Sequence, residues 1–280
     1  MEKNNLLISF SGGATSGFML HWILNNWQDR YNIKVVFANT GKEHEKTFEF
    51  INKCSEYFHC EIIWVEAVPN SVKGWAVTHK IVTHETASRN GEPFEAAIKL
   101  IGIPSSGNPY CSIQLKNLPI KSYLKSIGFK KFYTAIGIRA DGIDRVNVNF
   151  KKKRIVYPLI SDVPMNKKMI AQWWLNQPFK LEVSTGLGNC DNCWKMSMKS
   201  LIYNAKHYPE SFKWWDEMVN KYGWAKHRKA QINMKPPFTF YRGNLMVKDI
   251  FELTKISNSQ LLLFAENEKL DGCSESCEAF

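Results

Sequence analysis

Near the N terminus, Leu6-Leu7-Ile8-Ser9-Phe10 forms a short apolar run that stops at Gly12-Gly13, and Phe18, Met19, Trp22 and Ile23 then recur at helical spacing. This order of strand, glycine loop and helix constrains the chain more than any other feature, because it sets the unit from which the rest is built. A second apolar run, Ile33 to Ala38, is followed by Asn39-Thr40-Gly41 and a helix carrying Phe48, Ile51 and Phe58, and Cys60 to Val65 makes a third. Strands alternating with helices give βαβ units, a parallel sheet and right-handed crossovers. Ligands in such sheets bind beyond the C-terminal strand ends, which is where both glycine loops fall.

From about 69 to 109 the periodicity fades and turn residues accumulate, as in Ser88-Arg89-Asn90-Gly91-Glu92-Pro93 and Pro104-Ser105-Ser106-Gly107-Asn108-Pro109. This stretch reads as an insertion over the rim of the sheet, a candidate lid. The α/β pattern resumes with a helix near Lys116 to Ile127 and strands at Lys131 to Gly137 and Arg154 to Leu159. Beyond Asp162 the character is helical, at Lys167 to Asn176, Trp194 to Lys206 and Glu210 to Tyr222. The expected organisation is an α/β domain over 1–162 and a helical C-terminal part over 163–280.

At 280 residues and 44% apolar content the chain can bury a substantial core. Leu6 to Phe10 is too short for the core of a signal peptide, and no apolar run approaches the ~18 residues of a membrane span. A cytoplasmic protein without a membrane partner is therefore expected. The net charge is +11, and between Lys199 and Lys248 ten basic residues stand against three acidic ones. Phosphate-bearing partners suit such an excess, and a solvated Lys-rich helical face is the competing reading. Trp214, Trp215, Trp224, Phe240 and Tyr241 are interleaved with Lys213, Lys221, Lys226, Arg228, Lys229 and Arg242. Such residues hold a nucleic-acid backbone and stack on its bases; aromatics at helical spacing are also core.

The first glycine loop, Ser11-Gly12-Gly13-Ala14-Thr15-Ser16, lacks the lysine and spacing of a Walker A loop. Adjacent glycines let successive backbone N–H groups face one concavity, ringed by the hydroxyls of Ser11, Thr15 and Ser16 and backed by a helix N terminus. That is a pyrophosphate cradle, or simply a tight turn. Seven cysteines, an odd number without a secretory leader, argue against a disulfide framework. Cys54 and Cys60 read as small buried hydrophobes. Cys190-x-x-Cys193 suits a redox dithiol, half a zinc site or two ligands of an iron-sulfur cluster, and spacing alone does not choose.

Taken together, several segments resemble one family. Ser11-Gly12-Gly13 with Ser16 is similar to the PP-loop of the ATP pyrophosphatases, and Asn39-Thr40-Gly41-Lys42-Glu43-His44-Glu45 is similar to the second-strand turn of phosphoadenosine phosphosulfate (PAPS) reductases. Four more agree in order: Cys111 to Lys116 with Pro119, Gly137-Ile138-Arg139-Ala140-Asp141, Tyr157-Pro158-Leu159, and Gly188-Asn189-Cys190-Asp191-Asn192-Cys193. Over roughly residues 6 to 200 the chain thus resembles the PAPS-reductase-like branch of the PP-loop superfamily, with phage and bacterial members related to DNA phosphorothioation sulfurtransferases. The chain departs from the family pattern at Thr15, where many members carry Asp, and at Asp271 to Glu278, where a Glu-Cys-Gly-(Ile/Leu)-His motif is expected.

The resemblance implies an open, mostly parallel sheet of adenine nucleotide α-hydrolase type, an α/β fold with a C-terminal helical part. It implies ATP or PAPS bound with Mg²⁺ by Ser11, Gly12, Gly13, Thr15, Ser16, Thr40 and Gly41; Arg89, in the insertion, would close over the nucleotide or stand as an exposed loop arginine. Arg139, beside Asp141, would then fork on the α-phosphate, with an exposed ion pair as the alternative. Lys116, at a helix start near Cys111, is a further candidate phosphate ligand. Cys111, Cys190 and Cys193 would hold a [4Fe-4S] cluster, its fourth iron open or filled by Cys273 or Cys277, with zinc or no metal as the alternatives. The implied activity is ATP-dependent sulfur transfer: an acceptor, nucleic acid being one option, is adenylated with loss of pyrophosphate and thiolated with sulfur from a donor protein. PAPS reduction to sulfite is the alternative, and a catalytically silent nucleotide or nucleic-acid binding protein is the reading from another class.

Overall fold

A computed structural model describes residues 3–70, 76–183, 190–225 and 235–256. Its centre is a sheet in the order β4-β3-β2-β1-β5-β6. These strands are β1 (Asn4–Phe10), β2 (Tyr31–Asn39), β3 (Ile62–Asn70), β4 (Ala76–Val82), β5 (Tyr133–Ala135) and β6 (Ile155–Val156). All pairings are parallel except β3 with β4. In β1 the alternating directions of a strand separate two cores. Leu6, Ile8 and Phe10 join the side chains of α1 (Ala14–Asn26) and α2 (Glu45–Tyr57), whereas Leu7 joins Ile120, Tyr123 and Leu124 of α4 (Leu118–Ser126). Layers on both faces explain why β1 reads as a nearly continuous apolar run, interrupted only at Ser9.

Between residues 69 and 109, where the sequence suggests irregular chain, the structure has an edge strand and a helix. β4 pairs antiparallel with β3, and its exposed Thr78 and Lys80 blur the alternation that marks a strand. The helix α3 (Glu92–Ile101) starts after Gly91, carries Pro93 and two acidic residues in its first turn, and buries Phe94, Ala97, Ile98 and Ile101. Two further boundaries differ from the sequence reading. The strand expected at Arg154 to Leu159 is only β6, because Pro158 opens the short helix α5 (Pro158–Ser161). The helix expected from Trp194 begins instead at Met198, where Ser197 caps α7 (Met198–His207) by accepting from the Ser200 N–H.

Helix α6 (Lys167–Leu175) returns to the sheet domain. Its Trp174 packs on Phe50 and donates from Nε1 to the Ala14 carbonyl at 2.8 Å. A third core joins α3 to the C-terminal helices α7, α8 (Lys213–Tyr222) and α9 (Val247–Leu253), centred on the fully buried Trp215, Phe240 and Ile250. Among the described residues no helix is long and apolar enough to cross a membrane.

Candidate functional site

β1 ends at Phe10 and α1 begins at Ala14, so Ser11, Gly12 and Gly13 alone turn the chain. Gly12 takes φ +76°, and a Cβ there would lie 2.7 Å from Thr47 Cγ2 and 2.9 Å from Ile51 Cδ1. Only glycine closes the loop against α2. Ser16 Oγ then ties the turn, donating to the Gly13 carbonyl at 2.9 Å and accepting from the Gly13 N–H and from Ser11 Oγ. The first-turn N–H groups of α1 have no intrahelical acceptors, and no acidic side chain sits in that turn to neutralise them. An anion is the natural ligand for such a helix end.

Arg139, just past β5, reaches this loop from the side. Its Nε donates to Asp141 Oδ1 at 2.8 Å and its Nη1 lies 3.4 Å from Thr15 Oγ1. Asp141 also accepts from the Lys167 N–H through Oδ2 at 3.2 Å. Burial pushes the Asp141 carboxyl up, but the bonds from Arg139 and Lys167 outweigh it and hold it below the usual range. Asp141 thus orients the guanidinium that faces the glycine loop.

The turn after β2 holds a second set of groups. The Glu43 side chain is completely buried and accepts from the Thr40 N–H at 2.9 Å, from Thr40 Oγ1 at 2.9 Å and from Cys190 Sγ at 3.6 Å. Lys116 Nζ stands 3.8 Å from the same carboxylate. Gly41, at φ +79°, accepts at its carbonyl from the Gly91 N–H at 2.8 Å, and a Cβ at Gly41 would meet that nitrogen at 2.9 Å. Lys42 pairs with Asp191 at 3.2 Å beneath the Trp214 ring, and Trp215 Nε1 donates to Asp191 at 3.1 Å. Burial pushes Asp191 up to about 6 even though Lys42 pulls it back.

Cys111 directly precedes a π-helical turn, Ser112–Asn117, a wide turn that often marks a functional position. Cys111, Cys190 and Cys193 wall one cavity of about 10 Å³ together with Thr40, Lys116 and Trp194. That volume holds about one water molecule. No three or more His, Cys, Asp or Glu side chains among the described residues are grouped so as to hold a metal ion. The described residues as packed therefore do not fit a four-iron cluster, whose cube needs several times this room, nor do they form a zinc site. Cys273 and Cys277, with Gly188 and Asn189 of the expected motif, lie outside the described residues.

Arg89 is committed elsewhere: it donates through Nε and Nη2 to both Glu45 carboxylate oxygens and caps the Ala87 and His84 carbonyls. It lines a cleft of about 890 Å³ with Lys42, Asp191, Lys213, Trp214 and Lys221. Of the aromatic residues considered for nucleic acid, Trp215, Phe240 and Tyr241 are core, Trp214 edges the cleft and Trp224 is exposed. Lys226, Arg228 and Lys229 lie outside the described residues. Cys54 is fully buried and Cys60 half-buried, and burial raises both thiols. Glu43, Asp191 and Trp194 are site residues that the sequence reading did not single out. Charged residues directly after a strand-end glycine, and a charge inside Cys-x-x-Cys, were the available signals.

A family model described as a phosphoadenosine phosphosulfate reductase domain matches residues 5–142. The chain is 27% identical over 282 residues, 98% of its own length and 94% of the relative's, to the uncharacterised nin region protein ORF290 of Escherichia phage lambda. It is 22% identical over 242 residues to an uncharacterised protein of Methanocaldococcus jannaschii, covering 82% of this chain but only 44% of that longer protein. The glycine loop, the β2 turn and Arg139 all lie inside the matched segment, so residues 5–142 are similar to the phosphoadenosine phosphosulfate reductase domain family.

Proposed function

We propose that the chain binds ATP at the Ser11 to Ser16 loop and catalyses sulfur transfer to an acceptor. An acceptor oxygen attacks the α-phosphate beside Arg139, and pyrophosphate leaves into the N-terminal end of α1. A sulfur nucleophile from the thiol cavity then attacks the adenylated centre, and AMP departs with the acceptor's oxygen. Mg²⁺ would arrive on the triphosphate, whose charge it shares. The protein contributes position and fixed donors aimed at the charge that develops.

One observation carries this reading: the thiol cavity and the glycine loop share a rim, because Thr40, at the end of the strand beside β1, lies 3.5 Å from Cys190 Sγ. The cleft beside Lys42 and Trp214 offers room for a large acceptor such as a nucleic-acid strand. The test is pyrophosphate release from ATP with a persulfide donor, run beside sulfite release from PAPS. Arg139→Lys keeps the charge but loses the planar fork, so kcat/KM should fall about ten- to a thousandfold, equivalent to roughly 1.5–4 kcal/mol. Wild-type kinetics in that variant would reduce Arg139 to a structural ion pair. Sulfite from PAPS without pyrophosphate from ATP would select sulfonucleotide reduction, the second reading, which the matched family description favours.

A further inference from the structure

The positive charge of the chain is not spread evenly over the folded molecule. Leu6 of β1 lies opposite Tyr133 of β5, and Thr134 opposite Ile155 of β6, all in parallel, so the turns that lead into β5 and β6 emerge together at one edge of the sheet. Those turns carry Lys130-Lys131 and Lys151-Lys152-Lys153-Arg154, and all of these residues are exposed. Lys121 and Lys125, one turn apart on α4, extend the same surface; burial first, and the charge of Lys153 second, hold the Lys121 ammonium below its usual range. None of these cations pairs with a carboxylate among the described residues.

The backbone adds an independent sign. Lys131 and Arg154 have φ of +51° and +54°, the left-handed region in which glycine or asparagine is the easier choice. The turn around Arg154 is nevertheless firmly closed. Its N–H donates to the Lys151 carbonyl at 3.1 Å, the Ile155 N–H donates to the Phe150 carbonyl at 2.8 Å, and the Arg154 carbonyl accepts from the Thr134 N–H at 2.8 Å. Two strained positions are thus given to cations and fixed in place, an arrangement that repels itself until an anion spreads over it. The rings among these cations face inward: Phe129 is buried and stacks on Phe132, and Phe150 packs on Tyr157. No exposed ring stands there to stack on an unpaired base, and the turn cations lie on no helix that could settle into a lipid interface. Phosphates presented without their bases are the chemistry that remains.

We propose that this edge of the sheet is a docking surface for double-stranded nucleic acid, held by its phosphates irrespective of sequence. The surface is separate from the glycine loop, because the seven residues of β1, roughly 20 Å of strand, lie between them. It shares no residue with the cleft beside Trp214. The inference therefore goes beyond sulfur transfer and does not rest on it, since no nucleotide takes part in the contact. Each phosphate contacted releases condensed counterions, so the association weakens steeply with salt.

The test is fluorescence anisotropy of the full chain with a labelled DNA duplex of mixed sequence, titrated between about 50 and 200 mM salt. With about four to six phosphates contacted, affinity should fall by about two to three orders of magnitude over that range, equally with and without ATP. The duplex should bind more tightly than the matching single strand, whose charge density is lower. Lys152→Gln combined with Lys153→Gln should lower the slope of log affinity against log salt by about two. Lys199→Gln combined with Lys206→Gln, on α7, removes the same charge elsewhere and should leave the slope unchanged. Arg154→Gly separates ligand from fold: glycine suits φ +54°, so the urea midpoint should hold or rise while affinity falls about five- to tenfold. Salt-insensitive binding overturns the proposal, and so do equal losses in the two double variants or binding that requires ATP. Tighter association with the single strand, or with vesicles of phosphatidylserine, than with the duplex overturns it as well. Pyrophosphate release from ATP is assayed separately, so failure there counts against the sulfur-transfer reading alone.

Discussion

At Gly12 a left-handed backbone and close contact with α2 coincide, which separates this position from its neighbour. Gly12→Ala should lower stability by about 2 kcal/mol, from strained φ and a methyl driven into Thr47 and Ile51, and a urea midpoint that does not move would discount the clash. Gly13 has φ −91° and ψ 161°, ordinary extended geometry, so a larger residue there tests the ligand more than the fold. Asp191 makes a pH-dependent prediction. Its carboxyl titrates at about 6 when folded, against about 3.9 in an unfolded chain, so the native state holds the proton more tightly. Stability attached to this group is therefore fully present below about pH 4 and is lost as pH rises to about 6, roughly 3 kcal/mol in all. Asp191→Asn cannot ionise; starting from its offset near pH 4, it should gain that amount on the wild type by pH 7. Urea titrations of both proteins across this range check the slope, and a constant difference would mean that Lys42 restores the normal pKa.

Elements meet at the rim through side chains that no local pattern announces. Glu66, on β3, is buried and accepts from Asn39 Nδ2 at 2.7 Å, from the Ser88 N–H at 2.6 Å and from Ser88 Oγ at 2.9 Å. Asn39 in turn accepts from the Gly41 N–H at 2.9 Å, so one carboxylate ties the β2 turn to the segment leading into α3. Glu66→Ala takes the carboxylate acceptor from buried Asn39 Nδ2 and from the N–H and Oγ of the half-buried Ser88, which should cost roughly 2–4 kcal/mol. Hydrogen exchange should show lost protection concentrated at Thr40, Gly41 and Ser88 to Gly91; a uniform loss would mean that the network is not a local clip. The strands β1, β2 and β3 were legible because burial on both faces makes them continuous apolar runs. β4 was not, since an edge strand carrying Thr78 and Lys80 reads like a loop. The π turn was also hidden, because Ser112 to Asn117 fits an α-helix equally well in sequence. In the candidate site, the glycine loop and Arg139 were legible from local motif. Glu43 and Trp194 acquire their roles only when β2, the π turn and the Cys-x-x-Cys loop converge, a contact of 147 residues' separation between Glu43 and Cys190.

At the scale of the molecule, the apparent change of character near residue 162 does not coincide with a division of the core. Phe94, Ile98 and Ile101 of α3, with Leu115 of the π turn, pack into one cluster with Trp215, Met218, Phe240 and Ile250. On the other side of the sheet, Trp174 sits so close to α1 that a Cβ at Gly17 would meet its ring at 2.7 Å. A fragment of residues 1–162 would therefore expose both the α3 face and the α1 groove. Fully burying each large apolar side chain is worth about 1.5–3 kcal/mol, so losing the cover from four or more of them exceeds the whole margin of a typical domain at its lower end. The fragment should be expanded and should bind a hydrophobic dye, with weak near-ultraviolet circular dichroism, whereas the intact chain should unfold in urea in a single transition. A cooperatively folded fragment that still binds ATP would show that the PP-loop domain stands alone. The expected failure has a functional corollary. Cys190 and Cys193 reach the sheet rim on the same chain segment that completes the core, so nucleotide binding and the thiol cavity should be lost together at one denaturant midpoint. Thiol-labelling rates at Cys190 and nucleotide affinity, followed through the urea transition, should fall on the same curve.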